Sequence, residues 1–186
     1  MIRSYIHKKI ILILVLFPIN LASAQDPAKF IEGITLEASE ILKKNLEKTE
    51  KMDLLIELAE NSVDIDGIGR YTLGKHRKNI SQSQLQEYKK LFYKYFLKSF
   101  SSRLSEYTNP KIEVQGKKVL NDNYTIVNSL LIGTAERPEV KIDWRVYTKN
   151  PDNPLIRDLI IEGLSLARTQ KEEFASILNS NDGDIN

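Results

Sequence analysis

The residues that could do acid–base chemistry are few, and their spacing suits it poorly. The chain has two histidines, His7 and His76, and no cysteine. His76 stands in the run Lys75-His76-Arg77-Lys78, with no neighbouring carboxylate to orient its ring, and it reads as a surface residue. A Ser–His–Asp triad needs its base held by an acid, and no serine here lies in a nucleophile-elbow sequence. Asp64 and Asp66 are two apart, so on a helix they would not share a face. They lack the rest of an oxygen-rich calcium loop, which leaves helix capping or solvent exposure. Asp158 and Glu162, four apart on a strand, would point to one face. Their spacing allows a glycosidase-like acid pair, but a rim, or a cap for the following helix, is the plainer role. Gly67 and Gly69 give G-x-G without the third glycine or the strand–helix context of a dinucleotide site. No thiol is available for a metal, and no cofactor or metal site is expected.

One tight basic patch remains, Lys75, Arg77 and Lys78. It would suit an anionic headgroup or an acidic partner surface. As a solvated loop it would need no function.

The first 24 residues have a different purpose. Arg3, Lys8 and Lys9 form a positive start, Ile10 to Ile19 is an almost unbroken apolar run, and Ala22-Ser23-Ala24 offers small residues for cleavage. This is the layout of a secretory signal peptide. The run has about ten residues, whereas a membrane span takes about 20, which argues against an uncleaved anchor. The expected organisation is a signal peptide over 1–24 and a single domain over 25–186. Export would remove three of the 27 basic residues and leave 24 against 25 acidic ones, a net charge of −1. The apparent basicity is then an export signal, and nucleic-acid binding loses its electrostatic driving force. Without cysteine the exported chain carries neither a lipid anchor nor a disulfide, which fits a periplasm.

The remaining sequence must bury an ordinary apolar fraction of 41%. Asp26-Pro27 reads as a helix start, followed by Phe30, Ile31, Ile34, Ala38, Ile41 and Leu42 at helical spacing. A second helix is predicted from about Glu50 to Glu60. The Gly-punctuated stretch from Val63 to Gly74 suggests one or two short helical turns. Ser81 and Gln84 have capping-box spacing and open a long helix rich in Phe and Tyr, which Asn109-Pro110 should end. Strands follow: one around Ile112 and Val114, one from Tyr124 to Ile132, and a strictly alternating one from Val140 to Tyr147. A last strand should run from Leu155 to Glu162, with a helix from Ser165 to Leu178.

Helices, then strands joined by short turns, then a helix predict an α+β fold. Its mainly antiparallel twisted sheet would be covered by helices. The long helix would bring Phe92, Tyr95, Phe96 and Phe100 to face Val127, Leu131, Ile142, Trp144, Val146, Leu159 and Ile161. Periodicity does not separate a filled core from one with a slot in it. Gly67, Gly69 and Gly74 beside that helix could be hinges or ordinary turn glycines. Gly163 would permit a sharp bend, Ser165 would cap the last helix, and Glu162 would be structural.

Several segments resemble one known family. Asp64 to Lys75, with Ile68 and Leu73-Gly74, is similar to the Asp-x-x-x-Ile-x-x-x-x-Leu-Gly stretch of the MlaC family. Asp158 to Leu166 resembles its Asp-x-x-x-Glu-Gly-x-Ser-Leu signature, and Phe174 with Ile177-Leu178 falls where that family has Phe-x-x-Ile-Leu. The likeness covers essentially the whole mature chain. His76 or Arg77 stands where the family often has an aromatic, and Leu155-Ile156 where it often has Trp. The resemblance implies a non-enzymatic, monomeric periplasmic phospholipid carrier. Its partners would be an outer-membrane lipoprotein complex and an inner-membrane ABC transporter. The implied apolar cavity lies between sheet and helices, with Ile68 and Leu73 added to its lining and the headgroup toward solvent. The competing expectations are an exported enzyme on a nuclear transport factor 2-like cone fold and a periplasmic adaptor that docks through the long helix.

Overall fold

Short capping motifs lay down the helices. α1 (Pro27–Lys43) starts where the Asp26 carboxylate accepts the Ala28 N–H at 2.8 Å and Pro27 fills the first helical position. Lys117 also hydrogen-bonds Asp26, and together with the Ala28 N–H holds its carboxyl below the usual range. α2 (Lys48–Ser62) begins earlier than the apolar spacing suggested, because Glu47 and Glu50 form a capping box ahead of it. α3 (Ile65–Thr72) is capped by Asp64, which accepts the Gly67 N–H at 2.8 Å. Gly74, at φ +54°, then turns the chain into a 3-10 helix over Gly74–Lys78. α4 (Gln82–Leu104) opens on the expected Ser81–Gln84 box and stops at Leu104, well before Asn109-Pro110. α5 (Leu166–Ser180) is capped by Ser165, whose hydroxyl accepts the Arg168 N–H.

The computed structural model describes residues 25–135, 137–182 and 184, so the predicted signal peptide lies outside the described residues. β1 (Ile112–Asn121), β2 (Tyr124–Leu131), β3 (Val140–Tyr147), β4 (Leu155–Ile161) and β5 (Leu164–Ser165) form one antiparallel sheet in chain order. β1 is longer than its alternation indicated. A bulge at Gln115 resets its faces, and this places Lys117 opposite Val127, on the side where α1 begins. β5 was not predicted. It follows a two-residue turn in which Glu162 and Gly163 have φ of +48° and +85°, the signs a type I′ hairpin requires.

The sheet buries one face. Val127, Ile142, Trp144, Val146 and Ile156 point into a continuous apolar cluster that also takes Phe30 and Ile31 from α1, Ile65 and Ile68 from α3, and Phe92 and Leu97 from α4. A smaller cluster of Ile41, Leu42, Leu55 and Leu58 joins the end of α1 to α2. The helical half is stitched to the sheet where Val63 bridges Ile156 in parallel and the Asp64 N–H donates to the Ile156 carbonyl at 2.9 Å. The predicted α+β architecture, an antiparallel sheet covered by helices, is the observed one.

Candidate functional site

The apolar layer between sheet and helices is walled on one side by an aromatic ladder. Tyr88, Phe92, Phe96 and Phe100 recur at four-residue spacing, which stacks them along one side of α4. Ring centroids lie 5.9 Å apart for Tyr88–Phe92, 6.1 Å for Phe92–Phe96 and 5.8 Å for Phe96–Phe100. Phe174 of α5 packs edge-on against both Tyr88 and Phe92, at 6.5 and 6.2 Å. The other wall is the sheet. Trp144, the sole tryptophan, is 8% exposed, and its indole N–H donates to the Ser129 hydroxyl at 2.8 Å. That bond satisfies its one polar atom inside an apolar region.

Most of the residues expected to line this layer do meet there. Ile68, Phe92, Val127, Ile142, Trp144 and Val146 are buried in the cluster, and Phe96, Phe100, Leu131 and Leu159 pack against it. Leu73 and Ile161 are the exceptions. Leu73 is fully buried but outside the cluster, and Ile161 is half-buried opposite Ile142 at the sheet's end. Side chains occupy the layer: Val127 and Val146 have no exposure at all. A niche lined by Ile65, Asp66, Gly69, Lys89, Phe92 and Tyr93 reaches it between α3 and α4, with a volume of about 50 Å³. That is well below the roughly 300–1,000 Å³ of ordinary ligand pockets. Gly69 is a contact point: a β-carbon there would sit 2.8 Å from the Phe92 ring.

Tyr88 is the titratable group this layer perturbs most clearly. Burial pushes its phenol up to about 12, only partly offset by the 2.7 Å hydrogen bond it shares with Thr72. A phenol that stays neutral longer when folded leaves stability intact below the unfolded value of about 10 and removes it as pH rises toward the folded value. The urea midpoint should therefore fall between about pH 10 and about pH 12, and by less in Tyr88→Phe, which has no phenol to ionise.

The basic patch lies elsewhere. Lys75, Arg77 and Lys78 are exposed on the 3-10 helix. Lys75 and Lys78 line an open pocket of about 630 Å³ with His76, Asn79, Ile80, Asn179 and Asp182. None of these residues belongs to the apolar cluster. His76 is not the surface residue expected: it is half-buried, and its Nε2 is enclosed without a hydrogen-bond partner.

The acidic residues have structural occupations. Asp158 and Glu162 do not form a pair. A bulge at Arg157 breaks the β3–β4 register, and Asp158 ends 4% exposed, accepting the Ser165 O–H at 2.6 Å and the Ala167 N–H at 3.0 Å. Glu162 is exposed in the turn, where it accepts the Lys141 N–H. Asp143 accepts from the Asn128 amide at 2.8 Å. The Asp-x-x-x-Glu-Gly-x-Ser-Leu segment is thus a hairpin and a helix cap in one. Asp64, besides capping α3, is held by the Arg157 guanidinium at 2.5 and 2.6 Å. Arg157 also lies 3.9 Å over the Tyr147 ring and donates to the Tyr124 hydroxyl. Sequence spacing carried no sign of this clamp, because its members come from four separate elements. Among the described residues no group of three or more His, Asp or Glu side chains could hold a metal ion.

Residues 33–185 match the family described as MlaC protein. The toluene tolerance protein ttg2D of Pseudomonas putida is 23% identical over 98% of this chain and 86% of its own length. The intermembrane phospholipid transport system binding protein MlaC of Haemophilus influenzae is 25% identical over 63% of this chain and 56% of its own. Among solved structures, the phospholipid-binding protein of Ralstonia solanacearum, in complex with a phospholipid, shares this fold with a TM-score of 0.72. That match covers 87% of this chain and 91% of the other at 18% identity.

Proposed function

Because this chain belongs to the MlaC family, we propose that it is a periplasmic phospholipid carrier, moving lipid between an outer-membrane lipoprotein complex and an inner-membrane ABC transporter. Residues 1–24 would be removed on export, and residues 25–186 would act as one diffusing unit. The observation that carries the proposal is the continuous apolar layer between a one-faced sheet and the aromatic side of α4. The Ralstonia protein carries its phospholipid in the same fold. Hiding a methylene from water contributes about 0.8 kcal/mol, so about thirty of them contribute on the order of 24 kcal/mol. A carrier needs that apolar contact and no catalytic group. Asp64, Asp143, Asp158 and Glu162 already serve as caps and hydrogen-bond acceptors, which supports action by binding alone.

The acyl chains would lie among Ile68, Phe92, Phe96, Phe100, Val127, Leu131, Ile142, Trp144, Val146 and Leu159, with Leu73 and Ile161 at the margins. Since these side chains now touch one another, loading requires the layers to separate. Lys75, Arg77 and Lys78 are set apart from that layer, which favours contact with an acidic partner surface over contact with buried lipid.

Native mass spectrometry of the protein purified from cells tests the proposal. The expected spectrum shows the chain starting at Gln25 together with a species heavier by one or more phospholipids. Phospholipid brominated in its acyl chains should quench the fluorescence of the sole tryptophan, Trp144, whereas lipid brominated at the headgroup should not. A protein that purifies empty and leaves Trp144 unquenched by either lipid would overturn the carrier assignment.

A further inference from the structure

Between α3 and α4 the apolar layer comes close to the surface. The floor of the small niche there is Ile65 and Phe92, both part of the buried cluster, and its rim is Asp66, Lys89 and Tyr93. At the deepest point α4 meets α3 through a ring against bare backbone. Phe92 occupies the space where a side chain at residue 69 would stand. Gly69 offers no side chain to lock the ring, so the ring can leave this contact by turning about χ1 once its aromatic neighbours shift. The fastening is polar: the Thr72–Tyr88 hydrogen bond, at 2.7 Å, and an ion pair at the rim of the niche. Lys89 Nζ stands 2.7 Å from Asp66 Oδ1, while Arg70 from the same helix as Asp66 holds Oδ2 at 3.0 Å.

We propose that this seam is the portal through which an acyl chain enters and leaves, closed by the Asp66–Lys89 ion pair, and that Lys89 moves from Asp66 to the phosphate of the entering phospholipid. The proposal rests on the carrier function and names the way in and the headgroup contact.

Three observations make the exchange workable. Asp66 is half exposed, so water screens its pairing with Lys89 and the pair breaks readily. When Lys89 leaves, Arg70 remains on Asp66, and no carboxylate is left uncompensated. Lysine is a mobile point charge on a flexible stem, suited to trading one anion for another. Behind the portal, the Phe92–Phe96–Phe100 ladder runs on along α4 as an apolar track against the cluster. Glu60 of α2 accepts from the Tyr93 hydroxyl, which ties α4 to α2 at the rim of the niche. Opening therefore moves α3 and α4 apart while α4 stays anchored.

The chain has no cysteine, so Asp66→Cys with Lys89→Cys places the only two thiols across the seam. A short bis-methanethiosulfonate linker, which forms a reducible disulfide with each thiol and releases sulfinate, then closes it. Uptake of fluorescent phosphatidylglycerol from vesicles should fall at least about tenfold when bridged and recover on reduction, since the gate sets the rate. Separately, Lys89→Gln should weaken retention of phosphatidylglycerol by about tenfold, the loss of one charge-assisted contact, and leave diacylglycerol, which has no phosphate, unchanged. Lys89→Arg should restore it. A bridged protein that loads as fast as its reduced form overturns the portal, and a Lys89→Gln variant that loses both lipids equally overturns the phosphate contact. If the native protein takes up neither lipid, the carrier function fails and the portal with it. If the native protein loads and bridging has no effect, only the portal fails.

Discussion

Replacing Asp158 with alanine is expected to lower the unfolding free energy by about 3 kcal/mol, or roughly 6–12 °C in Tm for a domain of this size. The carboxylate is 4% exposed and serves two donors at the start of α5, the Ser165 hydroxyl and the Ala167 N–H. Ser165 in turn accepts from the Arg168 N–H, so one side chain organises the whole cap. Alanine leaves a buried N–H unpaired and removes a negative charge from a helix N-terminus, where it is favourable. Asp158→Asn keeps an acceptor and should cost about 1 kcal/mol. Thermal unfolding of the two variants separates the roles. An alanine variant as stable as the native protein would mean that α5 is held by other contacts. The effect should extend beyond the cap, since α5 carries Phe174 to the rings of Tyr88, Phe92 and Tyr95.

Phe92→Ala should cost the empty protein about 3–5 kcal/mol, the usual range for deleting a buried ring. Phe92 touches Tyr88, Tyr95, Phe96, Phe174 and Gly69, so the hole would lie where four aromatic rings converge. The lipid-loaded protein should lose less. In the carrier the ring already has to give way to an acyl chain, so its deletion removes contacts that the loaded state does not keep. The gap in Tm between loaded and empty protein should therefore widen in Phe92→Ala. An equal loss in both states would show that Phe92 is a core residue that never yields its place.

Where a few neighbouring residues decide the outcome, the fold was legible in the sequence. Asp26-Pro27, Ser81 with Gln84, and Ser165 all start the helices they were expected to start, because a cap is a local hydrogen bond. β3 alternates strictly and has the predicted ends, since one face is buried along its length. Insertions in the register defeated the same logic in β1 and β4. The extra residue at Arg157 sets Asp158 opposite Arg145 and off the face of Ile156, and the one at Gln115 turns Lys117 toward Asp26. Neither bulge alters composition or spacing, so period-2 counting passes through them unaware. The aromatic side of α4 was readable as an apolar stripe. Its seam with α3 was not, because the contact of Gly69 with Phe92 and the Asp66–Lys89 pair depend on how two helices cross.

The sheet is a meander in which each strand pairs with its neighbours in sequence, and such a sheet can grow by closing one short loop after another. The bridge from Val63 to Ile156 has the opposite character, joining the end of α2 to the far side of the chain. Asp64 and Arg157 reinforce it. A polypeptide that emerges N-terminus first cannot make this closure until β4 is out. The clasp is therefore expected to close after the hairpins that precede it. The slowest step in reaching the native state should be this single long-range closure and not the formation of any strand.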